Sequence, residues 1–535
     1  MIHSTGQNLG VVIDGSFTAG LTVRLTGSRL EDLQVGSFVV VEGGKSRYFS
    51  LVTDLQLRAS DPGILSDPPS GSAFVRAAVE DIHSYAVAVV RPSLVLAESD
   101  DPLAESGVRA VRTIPAHFST LRTAAGEDFD LVFGSESEER FALGSPVAMD
   151  GVMIPVDLPK LVERSNGIFG QTGTGKSVLA RLILFGLIRS KLASTLIFDM
   201  HDEYAQGDPK KPEIPGLRSL FGSGDIKVYD LDDRPGENHP QILIGLNQIE
   251  PGDIALLSDE LDLTDTFEAT SFALYRRYRE RWLSTLLDES LDSAELAEDI
   301  GAHQGALEAL IRKLRYLTDR PYIVPHNSDD PVRSILEHLL SNRHVIVQFG
   351  RHSALRDYML VANILTRRIH SRYTDRALPS SNGASSEPPP LVVVLEEAHK
   401  FLNPQAARQS VFGTIAREMR KFGVSLLVVD QRPSGVDSEI LSQLGTRITG
   451  LLTDPADIDA VLSGTGDRSS LRAMLASLEP SRQCMVVGHA MPMPIILSTR
   501  EYSHDLKALV EEKDRRGAQV GAWLANPRNI FEEPE

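Results

Sequence analysis

The stretch Gly170-Gln171-Thr172-Gly173-Thr174-Gly175-Lys176-Ser177 decides the fold. It fits a phosphate-binding loop: glycine, four residues, glycine, lysine, then serine or threonine. The ligand dictates these residue types. Glycines let the backbone wrap a polyphosphate with its N–H groups turned inward, and the helix N-terminus behind them adds partial positive charge. Lys176 is expected to reach the β- and γ-phosphates, and Ser177 to place its hydroxyl on Mg2+. Ile168-Phe169 precede the loop and the apolar run 178–184 follows it, which predicts strand, loop and helix. The predicted ATP-binding set is Gly170, Gln171, Thr172, Gly173, Thr174, Gly175, Lys176, Ser177 and Val178.

Composition agrees with an enzyme. A chain of 535 residues has room for roughly two to four domains and a large core. Cys484 stands alone, so an intrachain disulfide framework, a multi-cysteine zinc site and an iron–sulfur cluster are excluded. A reducing cytoplasm is the expected location. Residues 1–6 lack the basic and apolar regions of a signal peptide, and no apolar run approaches the ~20 residues of a membrane helix. The net charge of −19 argues against a surface that binds nucleic acid all over, while leaving room for a local basic channel.

Residues 1–150 read as all-β. Leu21, Val23 and Leu25 alternate with polar residues at the period of a half-buried strand. Further strands are expected at 38–41, 48–51, 74–79, 85–90, 108–114 and 129–133, separated by turn signals such as Glu42-Gly43-Gly44. Short strands at such intervals predict a small barrel that serves assembly or docking.

From residue 151 the pattern changes to alternating strands and helices, the grammar of a parallel-sheet nucleotide-binding core over 151–234 and 342–500. Residues 235–341 read as a mostly helical insertion, with Leu307, Leu310, Ile311, Leu314 and Leu317 at helical spacing. Its basic clusters, Arg276 to Arg281 and Arg312 to Arg315, are expected to be solvated helix faces. A loop is expected at 379–390.

Acids close three of the core strands. Residues 195–198 run into Asp199, Asp202 and Glu203; the run 391–395 into Glu396-Glu397; and 425–429 into Asp430-Gln431. The carboxyl edge of such a sheet is where ligands bind. Phosphate transfer to water needs one carboxylate for Mg2+ and another to orient or deprotonate water, and adjacent acids at a strand end can divide those roles. Arg417, Arg420 and Lys421 precede the third strand. They read equally as surface cations or as fingers inserted into a neighbouring subunit.

Taken together, 170–177, 199–204, 395–399, 417–423 and 430–464 resemble the HerA family, within the FtsK–HerA group of hexameric translocases. The resemblance implies a RecA-like P-loop ATPase core, an N-terminal small β-barrel, a helical insertion, a closing hairpin at 488–497 and a C-terminal arm at 501–535 that braces an adjacent subunit. It further implies a homohexamer with double-stranded DNA in its central channel, driven by ATP with Mg2+ and partnered with a nuclease. Carried over residue by residue, Glu397 would be the catalytic base, Glu396 would support Mg2+ and Gln431 would read the γ-phosphate. Arg420 would act in trans, with Arg164 as a second candidate.

Such a motor would serve DNA-end processing or antiviral defence. The alternatives are a secretion or conjugation ATPase at a membrane pore, or a non-motor scaffold that assembles an effector. No nuclease centre can be placed in the chain itself, so cleavage is expected from a nuclease or other effector docked on the barrel ring. Arg351, His352 and Arg356 are candidate pore residues.

Overall fold

The computed structural model describes residues 6–26, 33–60, 84–96, 108–147, 149, 151–207, 211–233, 239–263, 266–328, 331–377, 388–418, 422–465, 468–480, 482–513 and 515. The chain forms two compact units. One comprises Met1–Asp157 with the returning segments Ile448–Thr453 and Gly464–Arg500; the other comprises Leu158–Arg447, Asp454–Ser463 and the chain from Glu501.

In the first unit, β1 (Asn8–Ser16), β2 (Gly20–Leu25), β3 (Phe38–Glu42), β4 (Arg47–Ala59), β5 (Ser84–Leu96), β6 (Val108–Ala110) and β7 (Thr120–Thr123) build one antiparallel sheet. Its order is β2-β1-β7-β3-β4-β5-β6, and β5 pairs back onto β2, so six strands close a barrel with β6 appended to β5. Inward-facing Val12, Val23, Val39, Val41, Val52, Val90 and Leu121 fill it. β-branched residues suit this pleated, buried surface, and closure leaves few sheet edges open.

Two strand expectations change here, and a third is untested. Residues 129–133 are the second half of a helix, Gly126–Phe133. Asp128 accepts the Ala125 N–H at 2.8 Å and takes Arg122 on both oxygens at 2.7 and 3.0 Å, which ties down the first turn. Phe129, Val132 and Phe133 then share one buried face, and Phe129 packs edge-on against Phe38 and Phe49. The strand expected at 108–114 ends at Ala110. The one expected at 74–79 lies outside the described residues.

The chain continues through the hairpin β8 (Arg140–Pro146) and β9 (Ile154–Asp157) into the second unit. There β10 (Asn166–Phe169), β11 (Ser194–Asp199) and β12 (Ile226–Asp230) belong to a parallel sheet. The short strands β13 (Ile244–Gly245) and β14 (Ile323–Val324) pair with each other and pin together the two ends of the insertion. β15 (His344–Gln348), β16 (Leu391–Glu396) and β17 (Val424–Asp430) belong to the same sheet, whose parallel part has the order β12-β15-β11-β16-β17-β10. All but the last residue of β16 and one residue of β12 are buried, as expected of strands covered on both faces.

Between β13 and β14 the insertion is helical, including Thr266–Tyr278, Trp282–Leu286, Ser293–Ile300 and Gln304–Leu314. Leu307, Leu310, Leu314 and Leu317 are buried as the spacing predicts, while Arg276, Arg277, Arg279, Arg281, Arg312 and Arg315 are exposed. Trp282 is fully buried and donates its indole N–H to the Ile249 carbonyl at 2.8 Å.

Within β18 (Thr446–Thr449) the chain passes back to the first unit. The hairpin of β19 (Gln483–Gly488) and β20 (Ile495–Thr499) matches the expected closing hairpin and adds to β8. Residues 506–513 form a helix, and His504 contacts the Pro212 carbonyl at 3.1 Å. Residues 514 and 516–535 of the expected arm, and 379–387 of the expected loop, lie outside the described residues. No described helix is long and apolar enough to cross a membrane.

Candidate nucleotide site

The parallel register assembles the site. Phe169, the last residue of β10, lies opposite Asp430, the last of β17, and Val429 lies opposite Glu396 at the end of β16. Neighbouring strands stand about 4.8 Å apart. The loop that begins at Gly170 and the acids near positions 396 and 430 therefore emerge side by side at one edge.

Gly173 and Gly175 adopt φ of 80° and 86°, left-handed values that suit glycine, and turn the chain directly into the helix Lys176–Ser190. A Cβ at Gly173 would meet nothing within 4 Å, so the loop keeps an open side. Within the loop, Thr174 Oγ1 and Lys176 Nζ both donate to the Gln171 carbonyl, at 2.7 and 2.8 Å. Burial lowers the Lys176 pKa, opposed by the charges of Glu397, Asp430 and Glu396. A half-buried ammonium is stabilised by a hydrogen-bonded partner of opposite charge.

A chain of hydrogen bonds joins loop and acids. Thr172 Oγ1 donates to Gln431 Oε1 at 2.6 Å, and Gln431 Nε2 donates to Glu397 Oε1 at 3.0 Å. Glu397 holds a left-handed φ of 48°, unusual for a residue with a side chain and typical of sites where the surroundings over-determine the backbone. Gln431 thus spans the two motifs, as its position in the sequence suggests.

Glu396 is clamped by two fully buried tyrosines. Tyr204 Oη donates to its Oε1 at 2.8 Å, while Tyr358 Oη accepts its backbone N–H at 3.0 Å and lies 3.1 Å from its carbonyl oxygen. Burial pushes the Glu396 carboxyl up to about 7, and the Tyr204 bond works in the opposite direction. Asp199 is fully buried and likewise pushed up to about 7 by burial, with the Glu396 charge adding to the effect. Its oxygens accept the N–H groups of Glu203, Tyr204 and Ala205 at 2.8, 2.9 and 3.3 Å. Asp199 therefore shapes the turn that delivers Tyr204.

No group of three or more His, Cys, Asp or Glu side chains among the described residues is disposed to hold a metal. Mg2+ fits a different arrangement, one or two oxygen ligands from the protein beside substrate phosphates and water. The Ser177 hydroxyl at the helix start and the carboxylate of Glu396 supply oxygens of that kind.

Arg164 precedes β10 and Arg417 precedes β17, so both sit at the amino edge, roughly 13 Å of strand away from the loop. They line one cavity of about 320 Å3 with Glu163, Ser165, Ser425 and Gln443. Arg417 donates to the Ala407 carbonyl at 2.7 Å. Arg420 lies outside the described residues. Of the candidate pore residues, the Arg351 side chain is 79% exposed although it pairs with Asp232 at 3.1 Å. His352 is turned inward against the same Asp232 and the Tyr322 ring, and Arg356 lies over the Tyr316 ring at 5.2 Å.

Sequence reasoning missed Tyr204, Tyr358, His399 and the role of Asp430. His399 Nδ1 lies 3.0 Å from Asp430 Oδ2, a bond that raises the imidazole pKa. His399 does close the quoted stretch Glu396-Glu397-Ala398-His399, so that signal was present. Tyr204 likewise closes the stretch 199–204, whereas Tyr358 carries no such signal.

Residues 141–369 match the family model described as Helicase HerA, central domain. The DNA double-strand break repair helicase HerA of Pyrococcus furiosus is 25% identical over 443 residues, covering 76% of this chain and 78% of that protein. The protein of the same name from Sulfurisphaera tokodaii is 24% identical over 513 residues, covering 94% and 96%. Among solved structures, VirB4 of Thermoanaerobacter pseudethanolicus aligns at a TM-score of 0.45 with 16% identity, over 68% of this chain and 98% of that one. With its phosphate loop, its acid-tipped parallel sheet and relatives that span most of its length, the chain is a P-loop ATPase in fold and is similar to the HerA helicases, whose central-domain model its residues 141–369 match.

Proposed function

We propose that this protein is an ATP-driven motor that works as a homohexamer around double-stranded DNA in the cytoplasm. Its proposed task is DNA-end processing or antiviral defence, together with a nuclease or other effector docked on the barrel ring. The observation that carries the ATPase reading is the chain Thr172–Gln431–Glu397, which links the phosphate loop to a strained acid at the sheet edge. The DNA assignment draws its support from relatives named as DNA break repair helicases.

ATP is the substrate. The backbone N–H groups of residues 170–178 cradle its phosphates, and Lys176 exchanges the Gln171 carbonyl for β- and γ-phosphate oxygens. Mg2+, when bound, neutralises phosphate charge, and Ser177 and Glu396 would hold it. Glu397 takes the proton of the attacking water while the water oxygen bonds to the γ-phosphorus and the bond to the β-phosphate oxygen breaks. Gln431 senses the γ-phosphate through the same bonds that hold Thr172 and Glu397. Arg164, at the amino edge and far from its own loop, suits a neighbouring subunit's site; by the family resemblance Arg420 is the first candidate for that role and Arg164 the second.

The test is ATP turnover with and without linear double-stranded DNA, alongside native mass spectrometry. DNA should stimulate turnover in a six-subunit assembly. Lys176→Ala should lose hydrolysis, and Glu397→Gln should bind ATP but stall. Turnover indifferent to DNA would favour a scaffold, and a fully active monomer would remove the ring. Normal turnover in Glu397→Gln, with Glu396→Gln alone inactive, would move the base.

A further inference from the structure

His399 sits two residues past Glu397 and is fixed from two sides. Its backbone N–H donates to Asp430 Oδ2 at 2.6 Å, and its ring Nδ1 faces the same carboxylate at 3.0 and 3.2 Å. Asp430 is buried and also accepts the Arg432 N–H at 2.7 Å, so it is itself immobilised. Gly435 makes the approach possible, because a Cβ there would stand 3.2 Å from the His399 Cβ. His399 also borders a cavity of about 210 Å3 with Ser258, Asp259, Glu260, Lys400 and Gln405.

The same Nδ1 is 3.7 Å from Glu397 Oε2, while Glu397 Oε1 takes the Gln431 amide at 3.0 Å. Gln431 thus donates to one oxygen of the carboxylate, while the other stands beside the His399 ring, whose Nδ1 is turned to Asp430 and so is anchored at the end of β17. A φ of 48° at a residue with a side chain persists where the surroundings over-determine it, and Gln431 and His399 are side chains that face the Glu397 carboxylate.

We propose that His399, oriented by Asp430, is a positioning residue that holds the Glu397 carboxylate in line for hydrolysis, opposite Gln431. This rests on Glu397 being the base. Misplacing a reacting group by about 1 Å can cost on the order of 100-fold in rate, so the effect belongs in kcat and not in ATP binding.

The experiment compares DNA-stimulated steady-state hydrolysis and equilibrium ATP binding in the full-length protein for His399→Ala, His399→Asn, Asp430→Asn, Glu397→Gln and the double variant His399→Ala/Glu397→Gln. His399→Ala should lower kcat by about 10- to 100-fold with ATP affinity nearly unchanged. His399→Asn, which keeps a donor near the Nδ1 position, should recover part of the loss. Asp430→Asn should lower kcat in the same way. The double variant should be no slower than Glu397→Gln, because a positioning residue has nothing left to position. Full kcat in His399→Ala, an equal loss of ATP binding, or a further additive loss in the double variant would overturn the proposal. If Glu397→Gln itself turns over normally, it is the assignment of the base that fails.

Discussion

The Tyr204 hydroxyl donates to Glu396 Oε1 at 2.8 Å across 192 positions of sequence. Asp199 folds the turn that brings Tyr204 there, and Tyr358 holds the Glu396 backbone from the other side. A residue expected to support Mg2+ is thus set by partners on β11's turn and on the helix Leu355–Ala377.

Tyr204→Phe should move the acid limb of the kcat/KM profile to higher pH. Burial holds Glu396 up at about 7 and the tyrosine bond pulls it down. Without that bond the carboxyl ionises only at higher pH, and turnover that needs it ionised is lost earlier on acidification. The kcat/KM profile reports groups of the free enzyme. A midpoint unchanged from the parent would refute the coupling.

Gln431→Ala should lower kcat by about tenfold while ATP affinity changes little, since it removes a contact to Glu397 and leaves the cradle in place. Thr172→Ala should act in the same direction and more weakly. Stopped-flow hydrolysis and equilibrium binding separate the two quantities. An equal fall in affinity would make Gln431 a binding group.

Arginines that serve a neighbour should complement in mixed rings. Arg420→Ala subunits should bind ATP and hydrolyse it poorly, and mixing with Glu397→Gln subunits should restore some turnover, because sites with an intact Glu397 beside an intact Arg420 then form. No rescue in exchanging rings would pass the role to Arg164 or Arg417, which share the amino-edge cavity. Arg417→Ala would also release the Ala407 carbonyl.

Acid should destabilise the core partly through His344. Burial lowers its pKa from 6.5 to about 4, with Thr195 Oγ1 at 3.1 Å beside the ring. Between those values the unfolded chain takes a proton that the folded chain refuses. The contribution to stability is therefore complete above pH 6.5 and lost as pH falls towards 4. His344→Asn should reduce the fall in Tm across that window, measured by differential scanning calorimetry; an unchanged slope would exclude His344 as a source.

Removing residues 1–139, which stops short of β8, should abolish effector binding and leave nucleotide binding in place. The barrel closes on itself through β2–β5 pairing, and exposes Phe118 and Phe17. Co-purification of the shortened chain with its effector would move docking to the ATPase face or to the arm from Glu501.

The elements read most directly from sequence are those that local chemistry specifies. The loop 170–177 needs its glycines and lysine at fixed spacing whatever surrounds it, and β16 and β17 announce themselves as apolar runs tipped by polar residues. The insertion's buried leucines follow from helical spacing alone. The run 129–133 was misread because a short apolar stretch suits either period. What resolved it was Asp128 binding both Ala125 and Arg122, a capping contact combined with one from a neighbouring strand.

By itself the sequence determined that a phosphate loop precedes a helix, that acids follow apolar strands and that a β-rich region comes first, because backbone geometry and burial periodicity act over a few residues. Tertiary structure alone decided which acids meet. Parallel register set Phe169 beside Asp430, and Glu396 beside Val429. It also brought Tyr204 to Glu396, left Asp199 capping a turn, placed His399 between Asp430 and Glu397, and put Arg164 with Arg417 at the opposite edge. Those relationships depend on which strands lie side by side, and strand order is fixed by contacts between distant segments, as where the Leu426 N–H donates to Ser165 Oγ across 261 positions and Phe401 of one segment packs on Tyr358 of the long helix, not by any local preference of the residues that end up in contact.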